Sequence, residues 1–443
     1  MTRASAGGRW RWWAWAGAIL LAGGVVCLAR DVERWNAVWY VPAWYGYLLI
    51  LDAVIHRVAG RSPLSGSPRG VIGWMLWSVP FWFLSEAYNL RLQNWYYVFA
   101  LRSPAAAALF GVAAFATVIP ACFLHAEALR ALGAWRDGRC RPRAVTPAAE
   151  RAVLLLGLAS IAAPLLWPRH AFALVWGATL WIPEVVNRRA GRPSLLADAE
   201  EGRCGRLLRL LAGGLWAGAV WEGFNFFARC KWIYTVPGFE DWKLFEMPLA
   251  GFGGFPVLAL AAFGFHSLVA PLSSPSALRS SRGRVRLVAA AAAAAAFTAM
   301  THRAVLDRTV ASRRPLLSEL RGLAPDDASR LRDRGVPTPE RLHRTASDEG
   351  LSRLSGQTGI PAERLAPAVR HAALALHKGM GAPAAALLEA AGIRGVPDLA
   401  GADPEALAGR LHPLALRAGV RPPRAAEVKV WVRAARVSGQ PRR

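Results

Sequence analysis

The sequence predicts an all-α fold: a polytopic membrane helix bundle of two parallel four-helix repeats plus a ninth span, carrying a small soluble tandem helix-hairpin-helix domain. Three observations carry that expectation. Of 443 residues, 54% are apolar, 20 are Trp and only 19% are charged, against roughly 25% charged in an ordinary soluble domain. The apolar residues gather between positions 11 and 272 in runs long enough to cross a bilayer, which takes about 20 helical residues. Finally, two internal periods occur, one in each part of the chain. Such a composition excludes a disordered chain, a disulfide-stapled secreted module and a simple soluble enzyme.

Taken in order, residues 3–29 place Arg3, Arg9 and Arg11 ahead of an apolar stretch, like a signal peptide. Val26 before Cys27 makes a poor lipobox and further spans follow, so this segment reads as an uncleaved first helix. The next spans are 38–57, 70–88, 104–125, 152–167, 170–187, 208–227 and 248–271. A shorter, milder tract at 286–300 contains the Ala run 289–296. Arg residues crowd the connections 57–69, 126–151, 188–209 and 273–286, while NWYYVF and CKWIYTVPGFEDW fill outer ones. Positive-inside then puts the N-terminus and the four basic loops in the cytoplasm of a bacterial inner membrane, with the Trp/Tyr connections at the outer interface. If 286–300 spans, the C-terminal domain lies outside; if not, it lies in the cytoplasm. The flanking Arg286 and His302 lean toward spanning.

The membrane part reads as a duplication, residues 1–150 followed by 151–272. HRVAGRSPL at 56–64 recurs as NRRAGRPSL at 187–195, SEAYN at 85–89 as WEGFN at 221–225, and Trp95 and Tyr97 as Trp232 and Tyr234, 137 positions on. Both repeats begin inside, so they are parallel. After 286–300 and a linker at 301–315, residues 316–437 repeat at a shorter period: GLAPDDASRLRDRGV at 322–336 aligns with GMGAPAAALLEAAGI at 379–393. Each unit reads helix, Gly turn, helix ending at Gly, then a capped helix.

Acids inside apolar runs are the costly residues. Glu86 and Glu222 lie at outer helix ends, with Asn89 and Asn225 three positions on and therefore on the same face. With Trp95, Tyr97, Trp232 and Tyr234 they form one candidate polar membrane site, either locking the outer loops or holding a proton or cation between the halves. The second outer loop adds Glu240, Asp241, Lys243 and Glu246, making Glu222, Glu246 and Glu86 the catalytic candidates should the protein be an enzyme. At the inner ends, Asp52 with His56 and Glu184 with Asn187 share helix faces. Net charge is +25, almost all of it from Arg; in the membrane part it sets orientation and does not itself signal nucleic acid. The five cysteines form no CxxC, and no metal ligand set or cofactor fingerprint appears.

In the tail, Lys378, Gly379, Met380 and Gly381 open a helix whose free N–H groups could hold a phosphate or a partner. The first hairpin has Gly322 but Ala324 in place of its second Gly, and no aromatic stacking platform accompanies either. Over roughly 316–437, both hairpins, the intervening TGIP and the final DPEALAGRL resemble the DUF4332 family. The resemblance implies a compact all-α tandem helix-hairpin-helix module and no particular activity. FLSEAYNLRLQNWYY and VWEGFNFFARCKWIYTVP resemble paired motifs of uncharacterised bacterial membrane proteins. There is also a fainter similarity to duplicated membrane carotenoid cyclases, whose double-acid proline motif is absent unless FEMP at 245–248 is its remnant.

Three functional expectations follow. The first is a non-enzymatic membrane anchor for a helix-hairpin-helix adaptor, bound by membrane lipid and an unidentified protein partner, with nucleic acid the lesser alternative. The second is a membrane enzyme acting on an isoprenoid or lipid-like substrate, with Glu222 and Glu246 as acid and base. The third is a transporter using Glu86 and Glu222 as an ion or proton site, which outer-end acids fit less well than a midplane pair would.

Overall fold

The computed structural model describes residues 10–30, 37–238 and 242–438. It is mostly helical. The longer helices up to residue 308 are α1 (Trp12–Ala29), α2 (Tyr40–Ala59), α3 (Pro68–Leu92), α4 (Pro104–Phe115), α5 (Val118–Ala131), α6 (Pro147–Leu166), α7 (Trp181–Arg189), α8 (Gly205–Phe227), α9 (Gly254–Val269) and α10 (Ser281–Arg308). Two short strands, β1 (Trp95–Val98) and β2 (Lys231–Tyr234), follow α3 and α8.

Among the described residues, five helical stretches are long and apolar enough to cross a membrane: Trp12–Ala29, Pro104–Ala131, Pro147–Leu166, Leu249–Arg279 and Ser281–Arg308. The Ala tract, weakest in sequence, sits in the last of these. It is a continuous 28-residue helix, about 42 Å long at 1.5 Å per residue. Helices α2, α3 and α8 have the length but are not among the five. The stretch expected as a single span over 170–187 is broken: Phe172–Thr179 winds as a 3-10 helix and α7 begins only at Trp181. Pro183 explains the restart, since its missing N–H is harmless only in a first turn.

The chain divides into two compact units that do not follow sequence order. The first comprises Met1–Asn94, Ala108–Ala228 and Val236–Arg308; the second comprises Trp95–Ala107, Arg229–Thr235 and Thr309–Arg443. The segments Trp95–Ala107 and Arg229–Thr235 thus group with the tail.

Within the first unit, small residues let helices approach closely, as they do where lipid supplies no hydrophobic drive between helices. A Cβ on Gly46 would stand 2.6 Å from the Gly17 carbonyl oxygen, and one on Gly17 would stand 2.7 Å from that of Gly46. Gly213, Gly214 and Gly218 on α8 play the same part against Ala126, Ala259 and Phe255. Large apolar side chains point outward: Ile19, Leu76, Leu109, Leu155, Val288 and Met300 are all more than half exposed. Gly46→Leu is expected to separate α1 from α2, at a cost of about 3 kcal/mol from overpacking. Trp fluorescence during thermal unfolding in detergent would read this as a lowered midpoint, whereas an unchanged midpoint would mean that the two backbones do not touch.

In the second unit, β1 and β2 pair antiparallel, Trp95 with Tyr234, Tyr96 with Ile233 and Tyr97 with Trp232. The segment after α10 runs parallel to β1 on its free edge. The Tyr97 amide donates to the Thr309 carbonyl (3.1 Å), Ala311 to Tyr97 (2.8 Å) and Ala100 to Ser312 (3.1 Å). Tyr96, Val98 and Ile233 are buried with Val430 of the last helix, Ala425–Ser438. Two larger cores hold the tail together. One surrounds Leu331, Leu342, Leu354 and Leu365; the other surrounds Leu388, Leu399, Leu411 and Trp431. Their hairpin helices run Asp327–Asp333 into Pro339–Glu349 and Gly381–Ala390 into Val396–Ala400.

Candidate functional site

The outer-end acids lie inside the first unit. Glu86 and Glu222 are fully buried, as are Asn89 and Asn225. Glu86 accepts a hydrogen bond from the Trp82 indole N–H, 3.0 Å away and one turn upstream on α3. The Asn89 side-chain oxygen accepts from the Asn94 amide at 2.9 Å, closing the end of α3, where Gln93 turns left-handed. Trp82 also reaches the second half. Its ring lies 5.6 Å from that of Trp221, the residue before Glu222, and 6.1 Å from Trp176.

From Trp221 the rings continue inward. Trp221 stacks on Trp44 (6.0 Å), which stacks on Tyr40 (6.3 Å) and Tyr47 (5.4 Å) and meets Phe224 edge-on. The array reaches His125, whose ring lies 5.7 Å from Tyr47 and meets Trp216 edge-on at 4.9 Å. Its Nδ1–H donates to the Ala121 carbonyl and its Nε2 accepts from the Tyr47 hydroxyl, both at 2.8 Å. Both ring nitrogens are therefore used, which fits a packed core histidine better than a metal ligand. Among the described residues no group of three or more metal-ligating side chains occurs.

The polar set read from the sequence draws on both units. Glu86, Asn89, Glu222 and Asn225 belong to the first unit; Trp95, Tyr97, Trp232 and Tyr234 belong to the second. In the latter, the Trp232 indole donates to the Tyr234 hydroxyl at 2.9 Å. Glu246 is buried in the turn joining Lys243–Leu244 to Met247–Pro248, beside Phe245 at φ +60°. Glu240 and Asp241 lie outside the described residues.

The inner-end acids clasp the loops that follow them. Asp52 accepts from the Ser62 hydroxyl (2.7 Å) and the Leu64 amide (3.0 Å). Glu184 accepts from the Ser194 hydroxyl (2.8 Å) and the amides of Leu195 (2.6 Å) and Leu196 (3.1 Å). In each case acid and serine are ten residues apart, and the carboxylate sits at the start of a short helix, Pro63–Gly66 or Leu195–Glu200, where free amides point at it. His56 bonds the Ser65 hydroxyl at 3.0 Å, and Asn187 donates to the Gly264 carbonyl at 2.9 Å. Sequence reading named the acids and missed Ser62 and Ser194, although both lie within the repeated motif. An acid ten residues before a Ser/Pro-containing turn is the signal that would have found them.

The hairpin residues of the tail face protein. Lys378, Gly379 and Gly381 have φ of +47°, +68° and +79°. A Cβ on Gly379 would stand 2.7 Å from Val98 Cβ, and one on Gly381 would stand 2.8 Å from Ser312 Cβ. Met380 is buried in the core. The Ser312 hydroxyl donates to the Gly379 carbonyl and accepts from the Phe99 amide. At the first hairpin, a Cβ on Gly322 would meet Pro367 at 2.7 Å. The outer edge is tied by ion pairs Arg102–Glu319 and Arg229–Glu340.

His377, next to the second hairpin, donates from Nε2 to the Trp431 carbonyl at 2.9 Å, and burial lowers its pKa below the usual 6.5. The neutral form is thus favoured in the folded state. Its contribution to stability is complete above pH 6.5 and is lost as pH falls through the folded value, by at most about 1.4 kcal/mol per pH unit. The tail's unfolding midpoint should accordingly fall on acidification below that pH in the wild type and fall less in His377→Gln. Parallel profiles would contradict the assignment.

Residues 321–437 match the family described as Domain of unknown function (DUF4332). No curated protein and no solved structure matches the chain.

Proposed function

We propose that the chain is a multi-pass protein of the bacterial inner membrane which fastens its DUF4332 domain to its own outer strands and presents it there as a docking module for a protein. The observation that carries this reading is the position of Thr309. It follows the last residue of α10 directly, and its carbonyl takes the Tyr97 amide on β1. Helix α10 starts within the basic segment 273–286, which positive-inside assigns to the cytoplasmic side, and leads directly into the segment paired with β1. This arrangement supports a helix that crosses the bilayer and a domain that lies outside.

Duplication of the membrane part draws support from the strand register. Tyr96 and Ile233, equivalent at the 137-residue offset, are direct cross-strand partners. A twofold axis through that pair exchanges Trp95 with Trp232 and Tyr97 with Tyr234, as parallel repeats about the membrane normal require. The two carboxylate clasps, one per half, support it independently.

A protein partner is favoured over nucleic acid because both hairpins use their glycines for contact with the chain itself. Phosphate recognition needs that close backbone approach to be open. Photoreactive residues at the exposed positions Arg332 and Leu416 of the full-length protein in living cells are expected to yield a discrete protein adduct. Absence of adducts at either position, together with salt-dependent duplex DNA binding that Lys378→Ala abolishes, would overturn this reading.

One observation favours a second reading. The wholly buried Glu86 and Glu222 border a continuous array of Trp and Tyr rings, an environment suited to an isoprenoid or lipid-like substrate developing positive charge. Glu222 and Glu246 would be its acid and base. Native mass spectrometry would promote this reading if a lipid-like molecule accompanied the wild type and not Trp221→Ala. A wild type free of such a molecule would remove it.

A further inference from the structure

The two inner loops of the halves meet at a single antiparallel bridge, Arg139 opposite Arg203. The Cys140 amide donates to the Gly202 carbonyl at 2.9 Å, and the Cys204 amide to the Gly138 carbonyl at 3.0 Å. Side chains alternate across such a ladder, so Cys140 and Cys204 lie together on the face opposite Arg139 and Arg203. The residue directly across from each cysteine is a glycine, Gly202 or Gly138, and neither places a side chain between the sulfurs. The two side chains are close enough for Cys204 to raise the pKa of the Cys140 thiol. Both are free thiols, Cys140 exposed and Cys204 half-buried.

We propose that Cys140 and Cys204 are a redox-active dithiol that closes a reversible disulfide between the inner loops of the two halves. Desolvation and the neighbouring Cys204 raise the pKa of the Cys140 thiol, and Arg143 acts in the opposite direction, so the pair rests as thiols and the attacking thiolate is a minor form that mildly alkaline pH increases. The oxidant is a small-molecule disulfide of the glutathione class. One protein thiolate attacks a sulfur of oxidised glutathione, forming a mixed disulfide and releasing one glutathione thiolate. The second protein thiolate then attacks the protein sulfur of that mixed disulfide and releases the other. Overall, two protein thiols become one disulfide while one glutathione disulfide becomes two glutathione thiols. The meeting of the loops is one bridge long, not an extended ladder, so the backbone can adjust to disulfide geometry. In a reducing cytoplasm the pair rests as thiols and closes when the glutathione pool is oxidised. Closure would cross-link the loop 132–146 to the loop 201–204.

The test uses the full-length protein in detergent, with Cys27, Cys122 and Cys230 replaced by Ser. After oxidised glutathione, maleimide labelling should lose both remaining thiols. Proteolysis without reductant should release one cross-linked species joining the Cys140 and Cys204 peptides, two hydrogens lighter than their sum, and dithiothreitol should restore both labels. In Cys140→Ser or Cys204→Ser the remaining cysteine should stop at a stable glutathione adduct, which shows that the partner resolves it. Two independent glutathione adducts in the two-cysteine protein, or full labelling after oxidation, would overturn the proposal.

Discussion

Gly379→Val is expected to detach the second hairpin from the outer strands, lowering the stability of the second unit by about 4 kcal/mol. Two physical terms add. A non-Gly residue in the left-handed region costs roughly 1–2 kcal/mol, and Gly379 stands there at φ +68°. Overpacking costs about 1–3 kcal/mol, and the new Cβ would stand 2.7 Å from Val98 Cβ. Gly381→Val should behave similarly against Ser312. By contrast, Gly409, inside helix Pro404–Arg417, has nothing within 4 Å of its would-be Cβ. Gly409→Ala should therefore leave stability unchanged or raise it by roughly 1 kcal/mol through helix propensity. Hydrogen exchange on the full chain would discriminate. In Gly379→Val the amides of Tyr97, Ala100 and Ala311 should lose protection, whereas Gly409→Ala should keep it. Retained protection in Gly379→Val would mean that the turn does not seat on β1.

Glu184→Ala should be the most damaging single change at the inner ends. Its carboxylate, 2% exposed, satisfies the Ser194 hydroxyl and two backbone amides. A buried donor left without an acceptor costs about 1–3 kcal/mol, so a loss of roughly 4 kcal/mol is expected once water fills part of the gap. Glu184→Gln keeps one acceptor oxygen and should lose less than half as much. Asp52→Ala removes two hydrogen bonds and should fall between the two. Thermal unfolding in detergent, followed by Trp fluorescence, would rank the three variants. Equal midpoints for Glu184→Ala and Glu184→Gln would show that the carboxylate does not hold the loop.

The sequence is informative wherever a residue's type is costly in its surroundings. Glu86, Glu222, Asp52 and Glu184 stand out because acids in apolar runs are rare, and all four are buried in the structure. The Gly turns of the tail stand out because few other residues turn the chain left-handed. What the sequence does not reveal is partnership over distance. Nothing local says that Ser312 will bond Gly379, 67 residues on, or that Tyr96 and Ile233 will share a buried cluster with Val430. Cys140 and Cys204 show no motif because two loops, not one turn, bring them together. The KGMG turn shows the opposite difficulty: a backbone shape that can hold a phosphate can equally admit a strand, and the sequence of the turn is the same for both. The Ala run 289–296 is mild in hydropathy, and the helix around it extends well beyond it at both ends, Ser281–Arg308.

If the C-terminal domain lies outside, fastened to β1 and β2, its surface is open to reagents that do not enter the cell. Leu416 is 62% exposed on that domain, and Leu132 is 66% exposed at the inner end of the first half. A single cysteine at each position, in an otherwise cysteine-free chain, can be probed in intact cells with a membrane-impermeant thiol reagent. The account predicts that Leu416→Cys labels before lysis and that Leu132→Cys labels only after it. Protection of Leu416→Cys until lysis, with Leu132→Cys likewise protected, would leave the domain in the cytoplasm and contradict the pairing of Thr309 with an outer strand.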